Sequence, residues 1–473
     1  MSTNDNSCSF FPGSRRCILY VFSFLCTALA AGVVFGWPAL RQQLQEDGSE
    51  LSEKTLGAIF TAGSWSIFGG RFFTGLVRDR YGTRLMVCLC LIAVALGTLG
   101  VGLSDPNSSI TLGVSLFFVG LGSGVQLGIL PVAGLFPQNT GLITSSISGA
   151  FQISGLVFLA LTSGSSSRKA AFTYYSVFVL LLTIFAMFLL PKGNSFVASK
   201  EELSDQQSGD NHNTDVPVNI CSEKDLSLSS TNQNEVEELE EGKEGANDSA
   251  SSNNSGISQT TNTMDNEDPT PNAIDQLKSL EYHFLVAWFS TCLVPLQYYI
   301  GSIGFQLEGK GDDDGFYTDL FSIVYAGATI MAPVGGALCD RLGLGFTQGL
   351  ATLLTATSLF ILGSETISLK GQTSGLVVYG IARMFVFGMY FTNIAKRFGY
   401  TNHGTLTGLG LLVSAVVSLL QYPLIALAVD GKATAVNIGC GASLLVLSPY
   451  FFWLHRRENP TRMEATDAHQ NKS

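Results

Sequence analysis

Charge is what this chain is short of. Only 13% of its 473 residues are Asp, Glu, Lys or Arg, about half the share of an ordinary soluble protein. Set beside 46% hydrophobic residues, 51 Gly and 32 Phe, that shortage argues against a soluble globular enzyme. A basic excess is missing too: the net charge is −11, which leaves no electrostatic footprint for nucleic acid. The acid is concentrated in one place. Residues 191–280 hold 18 Asp/Glu and 5 Lys/Arg, and the rest of the chain holds 19 and 21. Nine cysteines, an odd number, lie mostly in apolar runs, and Cys88 and Cys90 have no histidine near them. There is thus no metal spacing and no disulfide framework; neither a metal nor a cofactor is expected, and the thiols read as small hydrophobes. Nor is a cleaved signal peptide expected, because the apolar stretch after Arg15-Arg16 runs from Cys17 to Leu40, beyond the ~7–15 residues of a signal. What remains is the composition of a polytopic membrane protein.

A helix needs about 20 apolar residues to cross the hydrocarbon core. Twelve segments qualify: 17–39, 54–77, 85–104, 110–134, 141–163 and 172–190, then 282–304, 316–338, 346–363, 374–395, 404–428 and 434–454. The expected fold is therefore an all-α membrane protein with twelve transmembrane helices in two six-helix bundles. Its parts are an N-terminal tail (1–16), a first bundle (17–190), an acidic loop (191–280), a second bundle (281–455) and a C-terminal tail (456–473). The loop, with runs such as "EVEELEEGKEGANDSASSNNSG", cannot bury enough apolar area to order itself. It is either a solvated tether or a segment for a cytosolic partner or kinase. Ten Lys/Arg on the side of the termini against seven on the other put both termini and the loop in the cytosol. Asn107 forms a sequon in a very short outer loop, and its use is not expected.

Two turns repeat. "GLVRDRYGTR" follows the second segment and carries Gly75, Asp79, Arg80, Gly82 and Arg84; "GALCDRLGLG" follows the eighth and carries Gly336, Asp340, Arg341 and Gly343. Both read G-x-x-x-D-R-x-G, six segments apart, which marks an internal repeat. Glycine lets helix ends turn and approach closely. The carboxylate can accept from neighbouring helix N-termini while the arginines stay at the interface. This resembles the signature loop of the major facilitator superfamily, where it braces helices during the swing between inward-open and outward-open states.

A narrower resemblance rests on "VFGWPAL" (34–40), "SGAFQISGLVF" (148–158), "PLQYYIGSI" (295–303), the stretch Phe316–Arg341 and the stretch His403–Leu427. Together these are similar to solute carrier family 43, the L-type amino-acid facilitators and their fungal and protist relatives. The resemblance implies sodium-independent movement of large neutral amino acids; one branch handles purine nucleobases instead.

Ionisable groups inside a membrane are costly and are functional candidates by default. Glu53, Glu281, Asp319 and Asp430 sit at segment ends, and His283 is three residues into its segment. With no carboxylate or imidazole near a midplane to titrate, the expectation is a passive uniporter. Arg383 is the one interior charge, ~14 Å deep at 1.5 Å per residue. Its guanidinium has the fork geometry to clamp a substrate carboxylate; alternatively it is satisfied by carbonyls, Tyr379 and Asn393. Arg71, nearer its segment end, reads as snorkelling. Other candidate contacts are Gln126, Ser148, Gln152, Gln297, Tyr298, Tyr299, Tyr379, Tyr390 and Asn393, each of which could equally bond a neighbouring helix. The Gly-rich run 120–128 suits close helix packing rather than a nucleotide loop.

The expected function is a facilitative, alternating-access transporter of amino acids, large neutral ones first. The alternatives are a nucleobase or other small-metabolite carrier of the same fold and a non-transporting sensor signalling through the acidic loop. No nucleophile–base pair suggests an enzyme. The partners are then a small-molecule substrate and the lipid bilayer, with the plasma membrane favoured over a vacuolar or lysosomal one.

Overall fold

A computed structural model of the chain describes residues 13–136, 140–164, 167–193, 273–398 and 402–458. Every regular element among them is helical. The first half contains α1 (Gly13–Ala30), α2 (Trp37–Glu46), α3 (Glu53–Tyr81), α4 (Thr83–Leu103), α5 (Ser109–Gly120), α6 (Ser123–Ile129), α7 (Thr140–Ile153), α8 (Leu156–Thr162) and α9 (Arg168–Leu189). The second contains α10 (Ala273–Lys278), α11 (Leu280–Glu308), α12 (Phe316–Gly327), α13 (Ala332–Gly363), α14 (Leu369–Phe398), α15 (His403–Ser418), α16 (Gln421–Leu427), α17 (Ala433–Leu445) and α18 (Ser448–Glu458). Serine caps start three of the long helices: Ser52, Ser167 and Ser279 accept from Thr55, Ala170 and Tyr282 N–H groups, offsetting orphan donors at each start.

The outer surface is what a bilayer requires. Along α9, Tyr174, Leu181, Phe185 and Phe188 are all exposed, a continuous apolar face that water would not tolerate. Seven described stretches are long and apolar enough to cross a membrane, or eight if α1 and the stretch Val33–Glu46, bent at 43°, form one span. That differs from the twelve expected crossings. Two stretches, Phe316–Gly363 and Gly404–Glu458, run to 48 and 55 residues, about 70–80 Å at 1.5 Å per residue, more than twice a hydrocarbon core of ~30 Å. Each has a positive-φ glycine inside it, Gly343 and Gly431, where the chain can double back. Several crossings are longer than their apolar segments. The first continues past Leu40 to Glu46, the second runs to Tyr81, and α14 starts at Leu369.

The repeated turns share one backbone geometry. Gly82 has φ 88° and ψ 166°, and Gly343 has φ 86° and ψ 168°, a region open essentially to glycine alone. Each turn leans on the last helical segment of its own half. Beside Gly82, Thr83 N–H donates to Gly193 O (3.2 Å) and Arg84 Nε to Leu190 O (2.6 Å). After Gly343, Leu344 and Gly345 N–H groups donate to the Glu458 carboxylate, both at 3.0 Å. For the second turn this differs from the role expected of the aspartate. In the second turn Asp340 pairs with Lys396 at 2.8 Å, and the carboxylate on the helix N-terminus is Glu458. The aspartate lies in the last turn of the preceding helix, so its side chain projects sideways toward α14 rather than along the next axis.

The halves join at the end away from these turns. Arg41 bridges Glu53 (2.6 Å) and, across the halves, Glu308 (2.8 Å); Lys54 reaches Asp430 (2.6 Å). Deeper in, Gln421 Nε2 donates to Ser64 Oγ at 2.7 Å. At the turn end, Lys396–Asp340, Arg397–Glu281 and Arg457–Glu281 stay within the second half. Most of the acidic loop (194–272) and the tails 1–12 and 459–473 lie outside the described residues, and with them the tether, docking and phosphorylation readings.

Candidate functional site

Two buried guanidiniums face one small cavity between the halves. Arg383 sits midway along α14 and is 1% exposed. Its Nε donates to Tyr325 Oη at 2.9 Å, and its guanidinium carbon lies 4.2 Å from the Phe35 ring centre and 4.8 Å from that of Phe387. Arg71, on α3 of the other half, is 4% exposed. Its Nη2 donates to Gln126 Oε1 at 2.5 Å, and it lies 4.8 Å from the Phe151 ring centre. Phe35 and Phe151 pack edge to face at 5.7 Å. Two cations thus share an aromatic wall, each stabilised by ring quadrupoles in place of a counter-ion. The Arg383 Nη1, the Arg71 Nε and the Gln152 Oε1 are buried without a hydrogen-bond partner. Among the described residues, neither Asp nor Glu lines the cavity.

Arg71 therefore does not snorkel. Read from Val77, the expected end of its segment, it lies ~9 Å deep; the helix continues to Tyr81, which makes the depth ~15 Å at 1.5 Å per residue. The cavity holds two fixed charges where the sequence suggested one.

Of the candidates read from sequence, the cavity brings together Arg383, Gln126, Ser148 and Gln152. The others do not line it, although Tyr379 neighbours Arg383. Tyr379 donates to Leu296 O at 2.6 Å and stacks on Tyr299 at 4.0 Å. Tyr298 accepts from Gln306 Nε2 at 3.1 Å. Tyr390 donates to Thr407 O at 3.2 Å. Gln297 and Asn393 are buried but do not line the cavity. The partner of Arg383 is Tyr325, which carried no signal in the sequence beyond lying in the Phe316–Arg341 stretch.

Space is limited. The cavity measures about 40 Å³, a void on the scale of a few waters, so a metabolite enters only as the halves or the Met384, Phe387 and Phe391 side chains move. A larger cavity of about 410 Å³ surrounds the second turn. It lies within one half, and two of its charged groups are already engaged, Asp340 with Lys396 and Glu458 with backbone N–H groups. Gly388 lines the smaller cavity, and a β-carbon added there meets nothing within 4 Å. Gly388→Val should keep thermal stability, since valine is the better helix former, yet cut transport at least ~10-fold by filling the space, as single methyl-scale changes in pockets do. Initial uptake rates and a detergent thermal midpoint measured together check this.

The sequence profile of the Major Facilitator Superfamily matches residues 17–421. The chain is 24% identical over 446 residues to the equilibrative nucleobase transporter 1 of Bos taurus, covering 84% of this chain and 86% of that one. It is 23% identical over 463 residues to the protein FMP42 of Saccharomyces cerevisiae, covering 89% and 88%. Among solved structures, the nucleoside transporter NupG superposes with a TM-score of 0.60 at 10% identity over 93% of this chain and 99% of its own, a likeness of fold.

Proposed function

The chain belongs to the major facilitator superfamily, and from that premise we propose that it is a facilitative carrier of a carboxylate-bearing metabolite, amino acids being the first class. Twelve crossings in two six-helix halves rock about the cavity between Arg71 and Arg383. One observation carries this reading: a guanidinium from each half, buried at a shared void, with unpartnered N–H groups and, among the described residues, no carboxylate lining the void to neutralise them. A cargo carboxylate supplies what is missing. The joined end, with Arg41–Glu308 and Lys54–Asp430 closed, fits one of the two states of alternating access. The lack of a carboxylate or imidazole among the cavity residues supports uniport over proton coupling. The plasma membrane is its proposed location.

A nucleobase is the second reading. The Bos taurus relative is named for one, and the Phe and Gln side chains lining the cavity could stack on and pair with a planar base. Counterflow in proteoliposomes, with leucine, arginine and adenine as competitors, separates the two. Competition by leucine supports the amino-acid reading, and competition by adenine alone transfers the case to the nucleobase. Strong acceleration by an imposed proton gradient overturns uniport.

A further inference from the structure

We infer that the preferred cargo is an organic anion carrying one carboxylate, an apolar or aromatic body and no ammonium, held jointly by Arg71 and Arg383. This rests on the reading as a carrier of a carboxylate-bearing metabolite, keeps its carboxylate and departs from its placing of amino acids first. The two guanidiniums are 4% and 1% exposed and line one cavity. Each keeps an unpartnered nitrogen, Arg71 Nε and Arg383 Nη1. A carboxylate has two oxygens with about four acceptor sites between them, enough to serve one fork from each half. A zwitterion meets the same oxygens but must also place an ammonium. The acceptors left for it are few. Gln152 Oε1 is open and the Ser148 hydroxyl lines the cavity, while Gln126 Oε1 is engaged by Arg71 and Tyr325 Oη by Arg383. The ring faces that would otherwise attract an ammonium, Phe35, Phe151 and Phe387, already carry guanidiniums. Two like charges beside a third cation, with no acid among the lining residues, make the ammonium the disfavoured part of the ligand. The rest of the wall, Phe151, Met384, Phe387 and Phe391, suits an aliphatic or aryl body.

A cargo of this kind carries one negative charge across per cycle, so transport is electrogenic. The test uses the full-length carrier in proteoliposomes with a potassium diffusion potential. The probes are leucine, its 2-oxo acid analogue (4-methyl-2-oxopentanoate) and adenine, each labelled. The expected result is 2-oxo acid uptake about tenfold above leucine. Its steady accumulation should rise tenfold for every ~59 mV of inside-positive potential, the value for one charge. Arg71→Gln should raise the KM for the 2-oxo acid more than it lowers kcat, and should narrow the gap to leucine. Leucine moving as fast as the 2-oxo acid, with accumulation blind to the potential, overturns the anion inference and leaves the carrier reading standing. Adenine alone moving, also blind to the potential, overturns the inference in favour of the nucleobase reading. No movement of any probe by protein that still melts cooperatively overturns both.

Discussion

Replacing Arg383 with leucine is expected to abolish cargo movement while leaving the folded protein about as stable as before. The two halves of that statement have different causes. Arg383 is a buried charge that donates to Tyr325 and neighbours Tyr379, with no acid among the described residues lining its cavity. Exchanging buried charges for apolar groups of similar volume is often neutral or stabilising, by about 1–4 kcal/mol. Against that stands the Tyr325 hydroxyl, which loses its partner at a cost of ~1–3 kcal/mol. The terms nearly cancel, so the thermal midpoint should move little. Cargo has no such compensation. Removing one partner of a buried, hydrogen-bonded charge pair costs 2–5 kcal/mol or more, roughly thirty- to several-thousandfold in kcat/KM at ~1.4 kcal/mol per decade. Arg383→Lys keeps the charge but not the fork, and should fall between, nearer the leucine variant. A bracing role alone predicts stability and transport falling together. Wild-type transport by Arg383→Leu would remove the clamp altogether.

How much of this was legible beforehand depended on whether the signal was local. The turns were readable because a backbone open only to glycine leaves a glycine in the sequence, twice, at matched spacing: Gly82 and Gly343. Arg383 was readable because it is far from both ends of its helix, so a shift of several residues in either boundary does not change its depth. Arg71 failed that test, since four residues at the end of α3 decided between interface and interior. Glu458 left no local trace, for it caps Leu344 and Gly345 from 114 and 113 residues away. Nor can a sequence tell which hydroxyl meets cargo. Tyr379 was a candidate and Tyr325 was not, yet the Tyr379 hydroxyl donates to the Leu296 carbonyl while Tyr325 lines the cavity and accepts from Arg383 Nε. The count of crossings suffers from the same mixing: α3 carries Ser64, Ser66 and Arg71 in its buried face, polar residues that lower its apolarity without making it any less a spanning helix.

Gly82→Ala should be the most destabilising single substitution in the turns, and Gly343→Ala a milder one, although the two backbones match within 2° in φ and ψ. Both variants meet the same strain, since an alanine held at this φ and ψ costs about 1–3 kcal/mol. They differ in what the new β-carbon meets. At Gly82 it overlaps the Lys192 carbonyl oxygen, in a backbone held on either side by the Arg84–Leu190 and Thr83–Gly193 hydrogen bonds. Main chain cannot step aside without breaking both. At Gly343 it meets the Glu458 carboxylate at 2.7 Å, the far end of a side chain that can swing away at the loss of a helix cap, ~0.5–2 kcal/mol. The expected losses are therefore about 4 kcal/mol or failure to accumulate for Gly82→Ala, and roughly 2–3 kcal/mol for Gly343→Ala. Thermal midpoints in detergent read the order directly. The double variant Gly343→Ala/Glu458→Ala sharpens the test. With the carboxylate gone the new methyl has nothing to hit, and the cap is lost once rather than twice, so the combined loss should fall short of the sum of the single losses. Strict additivity would mean that Glu458 does not touch the turn, and equal losses at Gly82 and Gly343 would mean that strain alone, without the Lys192 carbonyl, sets the cost.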